Sequence, residues 1–182
     1  KNGYAKTSFK PLWTPEDAVT FPVVITQGVS SDGKYSLIKV WQTSLVNGDA
    51  KQSFNCLLIN NENLETKTIN KASESCSQLQ FVGEEKAFSY ILYDDNENKL
   101  ALFVQDISSQ KELKIQDLDE DFKSYTFSPD GKSFAFIRQY NPKQTPKIKE
   151  DDGQTIKQSL YLQKVDEKFQ PVGTPQLLTP KE

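Results

Sequence analysis

The stretch Thr126–Gln139 reads TFSPDGKSFAFIRQ and contains a turn between two runs rich in β-branched and aromatic residues. In the turn, Pro129 presets φ, Asp130 can accept hydrogen bonds from the backbone, and Gly131 tolerates a positive φ. In the run Ser133–Ile137, apolar residues occupy successive positions instead of alternate ones. This pattern is typical of a strand buried on both faces. The stretch therefore predicts a tight hairpin whose second strand is sandwiched between two layers.

The same arrangement recurs along the chain. Turns align at Ser30, Val82 and Ser128, 46 to 52 residues apart, and an apolar strand follows each of them. Four short strands repeated every 40 to 50 residues or so are the signature of β-propeller blades. The sequence therefore predicts an all-β fold, a partial β-propeller of about three four-stranded antiparallel blades. The predicted propeller region is 23–182, with blades at about 23–70, 76–116 and 122–180.

Other fold classes fit the pattern less well. Sandwich strands alternate apolar and polar side chains, whereas the second strand of each repeat is apolar on both faces. No segment shows the apolar stripe of an amphipathic helix, which argues against an α/β fold.

A lead-in, residues 1–22, precedes the first strand. Thr14 is suited to cap a helix, Pro15 suits its first position, and Glu16 and Asp17 complement the positive end of the helix dipole. Pro22 cannot continue a helix, so we expect only a short N-terminal helical turn.

Composition excludes several function classes. The formal net charge is −3 and the pI is about 5.2, which argues against a general affinity for nucleic acid or an anionic membrane. No apolar run is long enough to span a bilayer. The chain has no histidine and no Gly-x-Ser-x-Gly motif, so neither a histidine-based triad nor a hydrolase nucleophile is encoded in it. We expect a chain without catalytic residues and without a cofactor. Because it starts at Lys1 and has no methionine, we expect a processed chain or an excised segment.

The two cysteines, Cys56 and Cys76, leave two alternatives open. They are compatible with one disulfide, which would indicate a periplasmic or secreted protein, and also with two buried thiols, which the cytoplasm would allow. Their spacing, without further cysteines or histidines, does not fit a zinc site.

The most patterned polar residues are the turn pairs Asp32-Gly33 and Asp130-Gly131. A ligand contact is conceivable for each carboxylate, but capping of nearby backbone N–H groups is the favoured interpretation. Arg138, at the end of a strand, is expected to pair with a turn carboxylate.

Other motifs are weaker. Ser108-x-x-Lys111 lies in an expected surface turn without the companion motifs of a Ser-x-x-Lys enzyme. Two acidic series lack the glycine and the glutamate of a calcium loop and are expected to be solvated turns, namely Asp117, Asp119, Asp121 and Asp94, Asn96, Asn98. Trp13 and Trp41 are expected to be packing residues. The insertion Asn141–Lys157 is expected to be a solvated loop and is the best candidate for contact with a partner or substrate.

The repeated Ser-x-Asp-Gly-Lys turns, at Ser30–Lys34 and Ser128–Lys132, resemble those of TolB-type propeller blades. Gly83–Lys86 replaces this motif in the second repeat. The lead-in Thr14–Ala18 (TPEDA) further resembles the start of prolyl oligopeptidase-family serine peptidases of the acylaminoacyl-peptidase type. The resemblance covers nearly the whole chain.

The resemblance implies a function as well as a fold. In that family a propeller precedes an α/β-hydrolase domain, so this chain would gate or orient peptide substrate for a hydrolase domain that it does not contain. The parent protein would be a serine peptidase, and the partners would be its C-terminal hydrolase domain and a peptide. The alternative is a TolB-like interaction propeller without an associated enzyme. Because three blades leave two end faces uncovered, self-association through these faces is also expected.

Overall fold

The computed structural model describes residues 20–47, 49–71, 74–94, 97–140 and 157–179. These residues form three four-stranded antiparallel sheets, in each of which the strands follow one another in chain order. The all-β fold and the four-stranded blades predicted from the repeat are thereby confirmed. The predicted helical turn at Thr14–Asp17 and most of the insertion Asn141–Lys157 lie outside the described residues.

The first sheet contains two long central strands and a short last strand. Its strands are β1 (Val23–Val29), β2 (Tyr35–Val46), β3 (Asp49–Asn60) and β4 (Thr66–Thr68). The β2–β3 hairpin pairs without interruption from Tyr35 opposite Asn60 to Val46 opposite Asp49. Asn47, with φ of +56°, begins the turn between them. β1 contains an irregularity between Thr26 and Gly28.

The second and third sheets repeat this plan. The second has β5 (Glu74–Val82), β6 (Ala87–Asp94), β7 (Lys99–Asp106) and β8 (Glu112–Leu118). The third has β9 (Phe122–Phe127), β10 (Ser133–Tyr140), β11 (Lys157–Val165) and β12 (Pro171–Leu177). The first strands contact one another across the sheets, β1 with β5 and β5 with β9, so they lie along a common inner edge.

The middle sheet is packed on both sides. In β6 the side chains of Phe88, Tyr90 and Leu92 belong to a core shared with the first sheet. Ala87 and Ile91, which point the other way, belong to a core shared with the third sheet. This explains the apolar second strand of the repeat, because both faces of β6 are removed from water. Burying a large apolar side chain is worth roughly 2 kcal/mol.

A disulfide between Cys56 in β3 and Cys76 in β5 joins the first sheet to the second. Both cysteines are fully buried. Asn70, in the connection that links β4 to β5, lies beside them and is also buried. Its Oδ1 accepts the N–H of Cys56 at 2.8 Å, and its Nδ2 donates to the carbonyls of Phe54 (3.0 Å) and Glu74 (2.8 Å). The connection is thus tied down at the point where the chain passes from one sheet to the next.

Candidate functional site

The Ser-x-Asp-Gly-Lys turn of the first sheet is closed by its own side chains. Asp32 Oδ1 accepts the hydroxyl of Ser30 at 2.7 Å and the N–H of Lys34 at 3.0 Å. The Ser30 hydroxyl oxygen in turn accepts the N–H of Tyr35 at 2.9 Å. Gly33, with φ of +73°, donates to the carbonyl of Ser30.

The turn of the third sheet has the same hydrogen bonds at equivalent residues. Asp130 Oδ1 accepts the Ser128 hydroxyl at 2.6 Å and the N–H of Lys132 at 3.0 Å. Ser133 N–H donates to Ser128 Oγ, and Gly131 has φ of +69°. The two turns are therefore copies of one structure.

These hydrogen bonds change the acidity of both aspartates. The N–H of Lys34, followed by the hydroxyl of Ser30, lowers the pKa of Asp32 below its ordinary value. At Asp130 the Ser128 hydroxyl and then the N–H of Lys132 lower the pKa in the same way. Each carboxylate is held in its ionised form by the turn that it closes, which is the geometry of a cap.

The second sheet replaces this motif with Gly83–Lys86, and the structure shows what the replacement does. Gly83, Glu84 and Glu85 all have positive φ, at +60°, +55° and +64°. Glu85 Oε2 accepts both the N–H and the hydroxyl of Ser31 in the first sheet, each at 2.6 Å. Glu84 N–H donates to the carbonyl of Pro129 in the third sheet at 3.3 Å.

The three first turns are thus linked across the sheets, and we call them the turn platform (Ser30–Lys34, Gly83–Lys86 and Ser128–Lys132). A Cβ on Gly131 would lie only 2.9 Å from the Cα of Gly83, so the second and third turns touch through their backbones. The role of Glu85 was not predicted from the sequence. The sequence feature that points to it is the replacement of Asp-Gly by Gly83–Lys86 in the second repeat.

The turns between third and fourth strands lie at the same end of the sheets. Ile107 N–H donates to the carbonyl of Lys86, and Val165 N–H donates to that of Lys132. Phe169, in the last of these turns, has φ of +60° and packs beside Gly83 and Gly131. The local sequence does not indicate that an aromatic residue adopts a positive φ here. The conformation depends on the contacts that Phe169 makes with the neighbouring turns.

The Ser-x-x-Lys motif forms one of these turns. Asp106 Oδ1 accepts the hydroxyl of Ser108 at 2.7 Å and the N–H of Ser109 at 2.7 Å. The N–H of Ser109, followed by the Ser108 hydroxyl, lowers the pKa of Asp106. The serine hydroxyls therefore stabilise a turn carboxylate, as the solvated-turn interpretation expects.

The opposite end of the sheets holds the sole arginine of the sequence. The Arg138 guanidinium pairs with Asp119 and also lies 3.8 Å from Asp121, both in the connection between the second and third sheets. Lys114 pairs with Asp117. Within the part of the chain that the structure describes, no cluster of acidic, cysteine or histidine side chains is arranged to hold a metal ion.

Two buried tyrosines also have altered acidity. Burial, and then a hydrogen bond to Glu112, raises the pKa of Tyr90. Burial also raises the pKa of Tyr125, whose hydroxyl donates to the carbonyl of Gln78 at 2.8 Å. Both phenols therefore stay protonated near neutral pH. Trp41 stacks on Phe54 with ring centroids 6.1 Å apart, as a packing residue does.

A cleft of about 760 Å³ opens beside the turn platform, on the third sheet. Its apolar wall includes Leu162, Val165, Phe169 and Val172, and its polar rim includes Asp130, Lys132, Lys164, Asp166 and Glu167. The platform and this cleft form the candidate functional surface among the described residues. It places fixed charges beside apolar side chains, and both are contacts that a bound molecule can make.

Comparison of the sequence with protein families and with curated proteins finds no match. The fold, however, is similar to that of Pyrococcus horikoshii acylaminoacyl peptidase, with a TM-score of 0.66 at 12% identity. That match covers 91% of this chain and 27% of the peptidase. The β-propeller domain of the Trilobed protease from Pyrococcus furiosus matches with a TM-score of 0.52 at 13% identity, over 80% of this chain and 40% of that one.

A third similar structure is Kuenenia stuttgartiensis hydrazine synthase, with a TM-score of 0.51 at 18% identity, over 82% of this chain and 40% of that one. The chain spans less than half the length of each of these proteins. At such identities the likeness establishes the β-propeller fold.

Proposed function

We propose that the chain is a non-catalytic propeller segment of a serine peptidase of the prolyl oligopeptidase family. In this proposal it gates or orients peptide substrate for an α/β-hydrolase domain of the same parent chain. The observation that carries the proposal is the likeness to acylaminoacyl peptidase over 91% of the chain. The TPEDA lead-in at Thr14–Ala18 and the repeated Ser-x-Asp-Gly-Lys turns support it from the sequence.

The character of the described surface is consistent with this role. A gating element has to keep its shape while substrate passes, and the turn platform is fixed by hydrogen bonds between all three sheets, such as Ser31 to Glu85. The chain has no histidine, so the catalytic triad of such a peptidase would come from the hydrolase domain. The peptide substrate and that domain are the proposed partners.

The proposed location is the periplasm or the cell exterior. A disulfide persists in oxidising compartments, and Cys56 and Cys76 are bonded in the structure. No helix among the described residues has the length and apolar character that a membrane span requires. A cytoplasmic location is the alternative, and the state of the two thiols in freshly isolated protein distinguishes the two.

The direct test is to determine the coding sequence past Glu182. We expect a Gly-x-Ser-x-Gly motif followed by an aspartate and a histidine, and we expect the full-length product to hydrolyse short peptides. A serine-directed reagent should abolish that hydrolysis, while the purified 182-residue chain should be inactive. A coding sequence that ends there, or that continues only with further blades, would overturn the proposal and favour an interaction propeller.

In the full-length protein, gating can be tested separately from peptidase activity by comparing substrates of different size. If the propeller restricts access, short peptides should be cleaved readily, and folded proteins that contain the same cleavable sequence should not be cleaved. Equal cleavage of both substrates would contradict gating while leaving the peptidase assignment intact.

A further inference from the structure

The two seams between the three sheets are held together by different means. We call the contact between the first and second sheets seam one and that between the second and third sheets seam two. Seam two contains an aromatic core contributed by the third sheet, consisting of Phe122, Tyr125, Phe127, Phe134 and Phe136. All five are nearly inaccessible to solvent and pack against Val82, Ala87, Ile91, Leu102 and Val104 of the second sheet.

Hydrogen bonds at the inner edge reinforce seam two. Gln80 of β5 accepts the N–H of Phe127 at 3.1 Å, and Gln78 of β5 donates to the carbonyl of Lys123 at 2.8 Å. Tyr125 donates its hydroxyl across the seam to the carbonyl of Gln78 at 2.8 Å. Seam two therefore combines a large apolar core with a row of polar contacts between β5 and β9.

Seam one has a smaller core on the side of the first sheet. The buried side chains that this sheet contributes, among the described residues, are Leu37, Cys56 and Leu58. None of them is aromatic. Two side-chain hydrogen bonds cross this seam at exposed positions, Ser31 to Glu85 and Lys67 to Gln110, while the buried Asn70 in the connection bridges Cys56 and Glu74. Even with the partly buried Tyr35 and Ile69, the first sheet contributes fewer buried apolar side chains to seam one than the third sheet contributes to seam two.

The covalent bond compensates for this weaker core. Cys56 and Cys76 are 0% and 1% exposed and lie at the centre of seam one. The bond closes a segment in which the two cysteines are 20 residues apart, and that segment includes β4 and the connection through Asn70. Because the sulfurs are buried, a reductant reaches them only when the seam opens, so the bond is stable in the docked state.

We infer that the Cys56–Cys76 bond is a redox-sensitive lock on the first sheet. In the oxidised chain all three sheets remain docked. A dithiol that reduces the bond transfers two electrons and two protons to the sulfurs, which leaves two cysteine thiols and converts the dithiol into its own disulfide. After reduction the first sheet undocks from the second, while seam two holds the second and third sheets together. This inference does not depend on the proposed peptidase function.

Amide hydrogen exchange of the 182-residue chain, with and without a dithiol reductant, tests the inference. Mass spectrometry first establishes that both cysteines are reduced. Exchange in β1 to β4 should then accelerate by roughly two- to three-hundredfold, the factor expected when the closure of a loop of this length is lost. Exchange in β6 to β12 should stay within about twofold of its oxidised value.

Two variants sharpen the experiment. Cys56→Ala/Cys76→Ala should show the fast exchange of β1 to β4 without any reductant and should no longer respond to it. Gln80→Ala, which weakens seam two, should keep the full difference between oxidised and reduced chain in β1 to β4. Unchanged exchange in the fully reduced wild-type chain would overturn the inference. Equal acceleration in all three sheets would also overturn it, since the chain would then open as one unit.

Discussion

At the scale of single residues, Gly33 and Gly131 show how one motif serves two environments. Both glycines close a Ser-x-Asp-Gly-Lys turn with positive φ, at +73° and +69°. Around Gly33 a Cβ atom would meet nothing within 4 Å, whereas at Gly131 it would meet the Cα of Gly83 at 2.9 Å. The first glycine is required by backbone conformation alone, and the second is required also by the contact between neighbouring turns.

This difference predicts the outcome of a matched pair of substitutions. Gly33→Ala should reduce the free energy of unfolding by about 1 kcal/mol, the cost of a left-handed alanine. Gly131→Ala should cost a further 1–3 kcal/mol or so, because the added methyl collides with the backbone of the second turn. Urea denaturation of the two variants measures both values. Equal losses would contradict the close contact between the second and third turns.

At the scale of elements, the sequence predicts the hairpins better than their contacts. The turns at Ser30–Lys34 and Ser128–Lys132 are predictable because aspartate and glycine, joined in the second turn by Pro129, have local conformational preferences. β2 extends to Val46, because its pairing with β3 continues through polar residues as far as the Asn47 turn, and the apolar pattern alone does not indicate that length. Glu85 and Phe169 were not predicted, because their conformations depend on other sheets.

The connection between the first two sheets has one polar residue whose loss should be costly. Asn70→Ala would leave the N–H of Cys56 and the carbonyls of Phe54 and Glu74 without their side-chain partner in a buried place. The free energy of unfolding should fall by about 1–3 kcal/mol. Asn61→Ala is the control, because Asn61 donates to the carbonyl of Gly33 at an exposed turn, and its cost should stay within about 0.5 kcal/mol. Thermal and urea unfolding of both variants provide the comparison, and similar losses would show that burial of Asn70 is unimportant.

At the scale of the whole molecule, the described sheets cover the middle sheet on both sides and each outer sheet on one side only. The second sheet presents Ile91, Leu102 and Val104 to the third. In the third sheet, Ile137 pairs with Leu160 and Ala135 with Leu162, on the side away from the second sheet. These apolar side chains are only partly buried, and exposed apolar surface of this kind favours association.

The isolated 182-residue chain should therefore self-associate as its concentration rises. Leu162→Lys should weaken the association, because it places a charge on the uncovered face of the third sheet. Leu64→Lys should have no effect, since Leu64 is 76% exposed in a turn of the first sheet. Light scattering over a concentration series measures the mass of each variant. A wild-type chain that stays monomeric throughout would contradict the prediction.

The chain order of the strands also has a kinetic consequence. Every hydrogen-bonded strand pair in the described sheets joins consecutive strands, so each sheet can form from local contacts, and local contacts favour rapid folding. The β10–β11 pair is the exception in loop length, because residues 141–156 separate its strands. Closing a loop costs free energy because the chain loses entropy, and this cost rises by about 0.6 kcal/mol for each doubling of the loop length. The third sheet should accordingly be the last to complete its hairpins, after the first two sheets have formed during synthesis from the N-terminus.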